Sequence, residues 1–193
     1  MEFKKIQLNG FKSFAEKTTF VIDNGLTGIV GPNGCGKSNI VESLRWCMGE
    51  TSAKSMRGSG MEDVIFSGTS NKPSKNIAEV LISISNENKD GPVQYKNLDS
   101  VEIRRKIEKD KGSKFYINEK EVRAKDAQMF FADLSTGAHS PSIISQGRIG
   151  ALVTAKPTDR RTVLEEAAGI AGMHVRRHEA ELRLGAAENN LKR

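Results

Sequence analysis

An α/β fold built around a phosphate-binding loop is the architecture this sequence predicts, on three observations. The run Gly31-Pro32-Asn33-Gly34-Cys35-Gly36-Lys37-Ser38 satisfies the pattern GxxxxGK[ST] in full. A short apolar stretch, Leu26 to Val30, leads into it, and apolar residues at helical spacing follow it. Elsewhere the chain alternates apolar and polar residues with turn signals between, which predicts antiparallel hairpins.

The elements follow in order. Ile6 and Leu8 alternate with polar residues before a break at Gly10-Phe11. Thr18 to Ile22 is β-branched and aromatic, with turn chemistry behind it in Asp23-Asn24-Gly25, so the two runs predict a hairpin. The composition of Leu26 to Val30 suits a strand buried on both faces. Ile40, Val41, Leu44, Cys47 and Met48 mark a helix, and Gly49 stands where its C-terminal cap belongs. Ala78, Val80, Ile82 and Ile84 share one side of a strand. Val101 to Ile107 alternates, Asp110 to Ser113 turns, and Lys114 to Asn118 returns as a second hairpin. A short helix is expected from Lys125 to Leu134 and a brief strand from Ser142 to Ser145. The Pro-free tail from Asp159 to Arg193 predicts a long helix with a soft spot at Gly169 to Gly172.

A chain of 193 residues with 37% hydrophobic and 28% charged residues fits a globular protein with one core. No stretch approaches the ~18 apolar residues of a membrane span, and the N-terminus has no apolar signal region, so a cytoplasmic protein with no membrane partner is expected. Cys35 and Cys47 form no CxxC pair and read as free thiols. The formal charge is +6, and Val101 to Lys125 alone holds nine Lys/Arg against five Asp/Glu. That balance permits a polyanionic partner.

The loop's chemistry explains its spacing. Glycines let the chain curl so that successive N–H groups face phosphate oxygens, and the positive end of the following helix reinforces them. Lys37 would neutralise the β- and γ-phosphates, and the Ser38 hydroxyl would ligate Mg²⁺. A guanine reader of the form Asn-Lys-x-Asp is missing, since Asn71-Lys72-Pro73-Ser74 fails at its last position. ATP is therefore the expected nucleotide.

Further motifs extend this reading. Leu8 to Phe14, Gly31 to Asn39, Ser55 to Gly58, Asp63 to Gly68, Tyr116 to Asn118 with Val122-Arg123, Ile144 to Arg148, Arg160-Arg161 and Glu165 to Ile170 form an ordered series. Together they resemble the structural-maintenance-of-chromosomes (SMC) family of ATPases over essentially the whole chain. The resemblance implies an α/β P-loop NTPase fold: the N-terminal lobe of an ABC-type ATPase head, with a mixed sheet, an antiparallel β subdomain and a C-terminal helix that starts a coiled coil. It divides the chain into a lobe, residues 1–158, and an exit helix, residues 159–193. It implies nucleotide contacts from Lys12, Ser13, Pro32, Asn33, Gly34, Cys35, Gly36, Lys37, Ser38, Asn39 and Asp63, with the stretch from Asp63 to Phe66 near the adenine. It makes Gln146 the Q-loop residue that shares Mg²⁺ with Ser38, and Arg57 a phosphate-facing arginine at the engaged dimer. Met56 departs mildly from the family pattern, as does the stretch from Ala138 to Pro141.

The family's signature motif, Walker B strand, D-loop and H-loop have no match here, and Glu165-Glu166 follows no apolar strand. The resemblance places those parts in a C-terminal lobe, so this stretch is expected to be inactive in hydrolysis by itself. It also implies a second head as homodimer partner, a kleisin complex, nucleoid association, and double-stranded DNA held without sequence readout. Arg104 and Lys106 share a strand face with Glu102 and Glu108, which also suits an ordinary solvated strand. With the resemblance, Arg104, Arg105, Lys111, Lys114, Lys120 and Arg123 become the expected DNA-facing group. His174 and His178 lack a third ligand, and Arg176-Arg177 beside them opposes a metal. A recombination- or repair-type ABC ATPase on DNA is the alternative, beside a transporter ATPase and a bare DNA-binding module.

Overall fold

The structure is a computed structural model that describes residues 1–134, 143–144, 150, 153–168 and 171–191. Six strands form one sheet: β1 (Glu2–Asn9), β2 (Thr18–Val21), β3 (Ile77–Ser85), β4 (Ser100–Glu108), β5 (Gly112–Ile117) and β6 (Lys120–Val122). Their spatial order is β2-β1-β3-β4-β5-β6, and each neighbouring pair is antiparallel. Both expected hairpins are present, β1 with β2 and β4 with β5.

Alternation sets the buried face. The register aligns Ile6 with Ile82, Ile82 with Ile103 and Ile103 with Ile117, so one apolar row crosses four strands. The adjacent row runs Leu8, Val80, Arg105, Phe115, an arginine among core residues. On this face lies α1 (Lys37–Cys47), whose Cys47 thiol donates to the carbonyls of Val80 and Ile103 at 3.6 Å. Trp46 is fully buried and stacks at a tilt against Phe11.

Helix α1 stops where the sequence predicts. Gly49 takes φ 103°, which lets its own N–H reach Trp46 O and the Glu50 N–H reach Arg45 O, both at 3.1 Å. Helix α2 (Ala124–Asp133) follows β6 and buries Ala127, Phe130 and Phe131. The tail comprises α3 (Pro157–Ala167) and α4 (Ala171–Leu191), the latter touching α2. On α4, Leu182, Leu184 and Leu191 are exposed.

One expected element does not form. Residues 26–30 are not a strand; Leu26 and Val30 stand fully or almost fully exposed, and Ile29 is exposed as well. A strand needs neighbours for its N–H and C=O groups, and among the described residues none lies alongside this run. The brief strand expected over residues 142–145 falls largely outside the described residues, as does Gln146.

Candidate nucleotide site

The phosphate loop lies between the exposed run and α1. Asn33, Gly34 and Cys35 are exposed, and Gly36 caps α1 with φ 95°. The backbone conformation there favours glycine, and a Cβ at Gly36 would stand 2.6 Å from Ser13 Oγ and have to displace that hydroxyl. The N–H groups of Asn33, Gly34, Cys35 and Gly36 have no acceptor among the described residues. Four unpaired amides at the positive end of an 11-residue helix suit an anion.

Lys37 opens α1 and folds back on the loop. Its Nζ donates to the carbonyls of Gly31 at 2.5 Å and Pro32 at 2.6 Å, and lies 3.7 Å from Cys35 Sγ. Ser38 is exposed beside it. A triphosphate with Mg²⁺ fits this donor set: the loop offers unpaired N–H groups and an ammonium, and Mg²⁺ takes few protein ligands when phosphates supply oxygens. No cluster of three or more His, Cys, Asp or Glu able to hold a metal exists among the described residues, and the exposed hydroxyl beside Lys37 is that of Ser38.

A second set of side chains borders the loop. Asn39 on α1 donates to Ser13 Oγ at 2.9 Å and accepts from Arg57 at 3.0 Å. Glu42, one turn on, pairs through Oε1 with Arg57 and through Oε2 with Lys12. Lys12 also donates to Met56 O at 2.5 Å. Both cations sit on left-handed backbone, Lys12 with φ 47° and Arg57 with φ 55°. The segment carrying Arg57 is pinned by the buried Glu50, which binds Arg45 at 2.9 Å, Ser55 Oγ at 2.5 Å and Ser52 N–H at 2.8 Å. Lys12, Ser13, Asn39 and Arg57 thus gather at one edge of the loop.

Asp63 serves its own turn. Its Oδ2 accepts from Ser59 N at 2.6 Å, Ser59 Oγ at 2.8 Å and Gly60 N at 3.0 Å, and the Gly60 and Ser59 donors hold its carboxyl below the usual carboxylate range. Beside it a cleft of about 660 Å³ is lined by Arg57, Asp63, Ile65, Phe66, Lys75 and Lys109.

The expected DNA-facing group divides. Arg105 does not belong to it: the side chain is 3% exposed, donates to Trp46 O and Glu50 O at 2.7 Å, and stacks on Trp46 and Phe115. Burial lowers its pKa to about 10. Arg104 is held by Glu119 at 2.6 Å and lies over Tyr116. Lys111 pairs with Glu108 and Lys114 with Glu121 on the surface. Lys120 and Arg123 are exposed, and their charged heads have no acidic partner among the described residues.

Glu42 and Glu50 escaped sequence reasoning. Glu42 carries a usable signal: it stands four residues after Ser38 and three after Asn39, which puts it on the same side of α1 as those two loop residues.

Similarity to known proteins extends over the whole chain. Residues 2–147 match the family described as RecF/RecN/SMC N terminal domain. The chromosome partition protein Smc of Rhodopseudomonas palustris is 56% identical over 193 residues, all of this chain and 17% of that protein. A chain from work on ATP-driven dimerization and DNA-stimulated activation of SMC ATPases superposes with TM-score 0.74 at 33% identity, covering 86% of this chain and 99% of that one. An Smc head with an extended coiled coil, bound to the C-terminal domain of ScpA and derived from Pyrococcus furiosus, gives TM-score 0.80 at 33% identity, covering 100% of this chain and 48% of that one. No helix among the described residues is long and apolar enough to cross a membrane.

Proposed function

The chain belongs to the RecF/RecN/SMC N terminal domain family, and on that premise we propose that it is the ATP-binding half of an SMC head whose ATP-dependent engagement drives DNA binding and chromosome segregation. One observation carries the reading: four unpaired amides from Asn33 to Gly36 lie at the start of α1 beside Lys37 and Ser38.

Each residue has a physical task. The amides of residues 33–36 receive phosphate oxygens, and Lys37 exchanges its carbonyl partners for the β- and γ-phosphates. Ser38 offers its hydroxyl to Mg²⁺, and Gln146, outside the described residues, is the proposed second ligand. When bound, Mg²⁺ neutralises developing charge on the phosphates. Lys12, Ser13, Asn39 and Arg57 border the phosphates, and the cleft beside Asp63 to Phe66 accepts the base.

The exposed run Leu26 to Val30 is proposed to complete its sheet with strands of a C-terminal lobe, which would also supply the acid for hydrolysis. Apolar residues left this open beside a functional loop signal a missing partner. The exposed leucines of α4 await a returning coil in the same way. A second head then closes over the nucleotide, and a kleisin complex engages the assembly. Lys120 and Arg123 serve as phosphate contacts to DNA without reading bases. The cellular site is the nucleoid of the cytoplasm. Identity over the whole chain to a chromosome partition protein favours this over a repair-type ATPase.

The test is reconstitution. Mixing the chain with its C-terminal lobe should yield Mg²⁺-dependent ATP hydrolysis that DNA accelerates, and neither piece alone should show it. Hydrolysis indifferent to the second lobe, or unchanged by Lys37→Ala, would refute the proposal.

A further inference from the structure

We propose that Glu42 is a positioning residue of the nucleotide site: its buried carboxylate holds Lys12 and Arg57, from two other segments, at the edge of the phosphate loop so that both face an incoming phosphate. The inference rests on the nucleotide reading and names how its second rank of cations is assembled.

Glu42 lies inside α1 with 8% of its surface exposed, where a carboxylate persists only when paired. Its two oxygens take two cations, Arg57 Nε on one and Lys12 Nζ on the other. Those cations come from residues 12 and 57, far apart in sequence, and nothing in local structure would bring them together. Each sits on left-handed backbone, an arrangement costing non-glycine residues about 1 kcal/mol or more. Lys12 is fixed further by its N–H on Val64 O at 2.7 Å, and Arg57 by its N–H on Lys54 O at 3.0 Å.

The charge balance makes the arrangement useful. Lys12 and Arg57 alone would repel; one carboxylate between them leaves a net +1 and lets both stay close. Binding Arg57 through Nε leaves its outer nitrogens for Asn39 and for an anion, and its side chain is 59% exposed. Asn39 then ties the group to Ser13 and to the first turn of α1. Glu42 acts through these neighbours and offers no donor of its own to a phosphate.

The experiment measures Mg²⁺-ATP dissociation constants for the full-length protein and its variants. Glu42→Gln should weaken binding about tenfold in the parent, the loss expected when charge-assisted contacts lose their common anchor. In a Lys12→Ala/Arg57→Ala background the same change should do nothing beyond about twofold, because the groups it positions are gone. Glu42→Asp, which retracts the charge by one methylene, should cost about threefold in the parent and nothing in the double variant. Equal losses in both backgrounds would mean a purely structural role and overturn the inference; so would no loss in the parent. If Glu42→Gln fails to fold, Glu42→Asp decides by the same comparison. Failure of the parent itself to bind, with Lys37→Ala indistinguishable from it, would strike the nucleotide reading and not this assignment.

Discussion

The guanidinium of Arg105 lies 4.5 Å from the centre of the Trp46 ring while donating 2.7 Å hydrogen bonds to the backbone carbonyls of Trp46 and Glu50. A strand residue thereby caps the C-terminal end of the helix that starts in the phosphate loop, where a cation is favoured. The second ring, Phe115, lies 4.6 Å away on the next strand. The group is a joint between sheet and helix.

Replacing Arg105 with Ala should cost about 3 kcal/mol, since it opens a cavity and strands two carbonyls. Arg105→Lys should lose roughly half as much, because an ammonium cannot stack flat and bridge both acceptors. Urea unfolding of the two variants beside the parent measures this; a loss within about 0.5 kcal/mol for Ala, the range of an ordinary surface change, would contradict the joint.

Burial pushes the Cys47 thiol from 9.0 up to about 12. The folded chain thus keeps a proton that the unfolded chain releases, so the stability this group contributes is full below pH 9 and falls as pH rises toward 12. Arg105, lowered from 12.5 to about 10, acts in the opposite sense above pH 10. Between pH 9 and 10 the thiol contributes a decline of about 1 kcal/mol; Tyr95, raised from its ordinary value by burial, acts in the same sense, so the comparison with Cys47→Ala isolates the thiol. Denaturant midpoints across that window should drop for the parent and stay flatter for Cys47→Ala.

Much of this was legible from residue order. The phosphate loop, the helix after it with its glycine cap, and both hairpins follow from local chemistry, so local signals sufficed. Residues 26–30 misled because apolar composition reports a need for burial and not whether a partner lies within the same stretch of chain. Arg105 is legible from its position: its odd place in β4 puts it with Val101, Ile103 and Ile107 on the inward face. Glu42 is only partly legible: its place one turn past Ser38 can be read from residue order, but Lys12 and Arg57 approach it from distant segments that only the fold brings together, while Glu50 binds within its own segment, to Arg45, Ser52 and Ser55.

DNA contact by the exposed cations should appear as salt dependence. For the assembled head, Lys120→Ala and Arg123→Ala should each reduce the slope of log affinity against log salt by about 1. Arg105→Ala should leave that slope unchanged wherever the protein stays folded. Fluorescence anisotropy with duplexes of unrelated sequence provides the measurement, and an altered slope for Arg105→Ala alone would reverse the assignment.

Gly36→Ala places a methyl within 2.6 Å of Ser13 Oγ at a backbone angle of 95°. Strain of this kind costs about 1–2 kcal/mol, and relief requires moving Ser13 or the loop. ATP affinity should fall at least about tenfold, the factor that 1.4 kcal/mol represents, while circular dichroism stays that of the parent. Unchanged affinity would show that the loop tolerates a side chain where the structure leaves no room.

On the proposed reading the amides of residues 33–36, with Lys37 and Ser38, hold a nucleoside triphosphate. Calorimetric titration of Mg²⁺-ATP into the chain joined to its C-terminal lobe tests it most directly. Saturable binding at one site per head is expected, abolished by Lys37→Ala and weakened when Mg²⁺ is chelated. Binding that survives Lys37→Ala at parental strength, or no heat of binding from a folded assembled head, would contradict it.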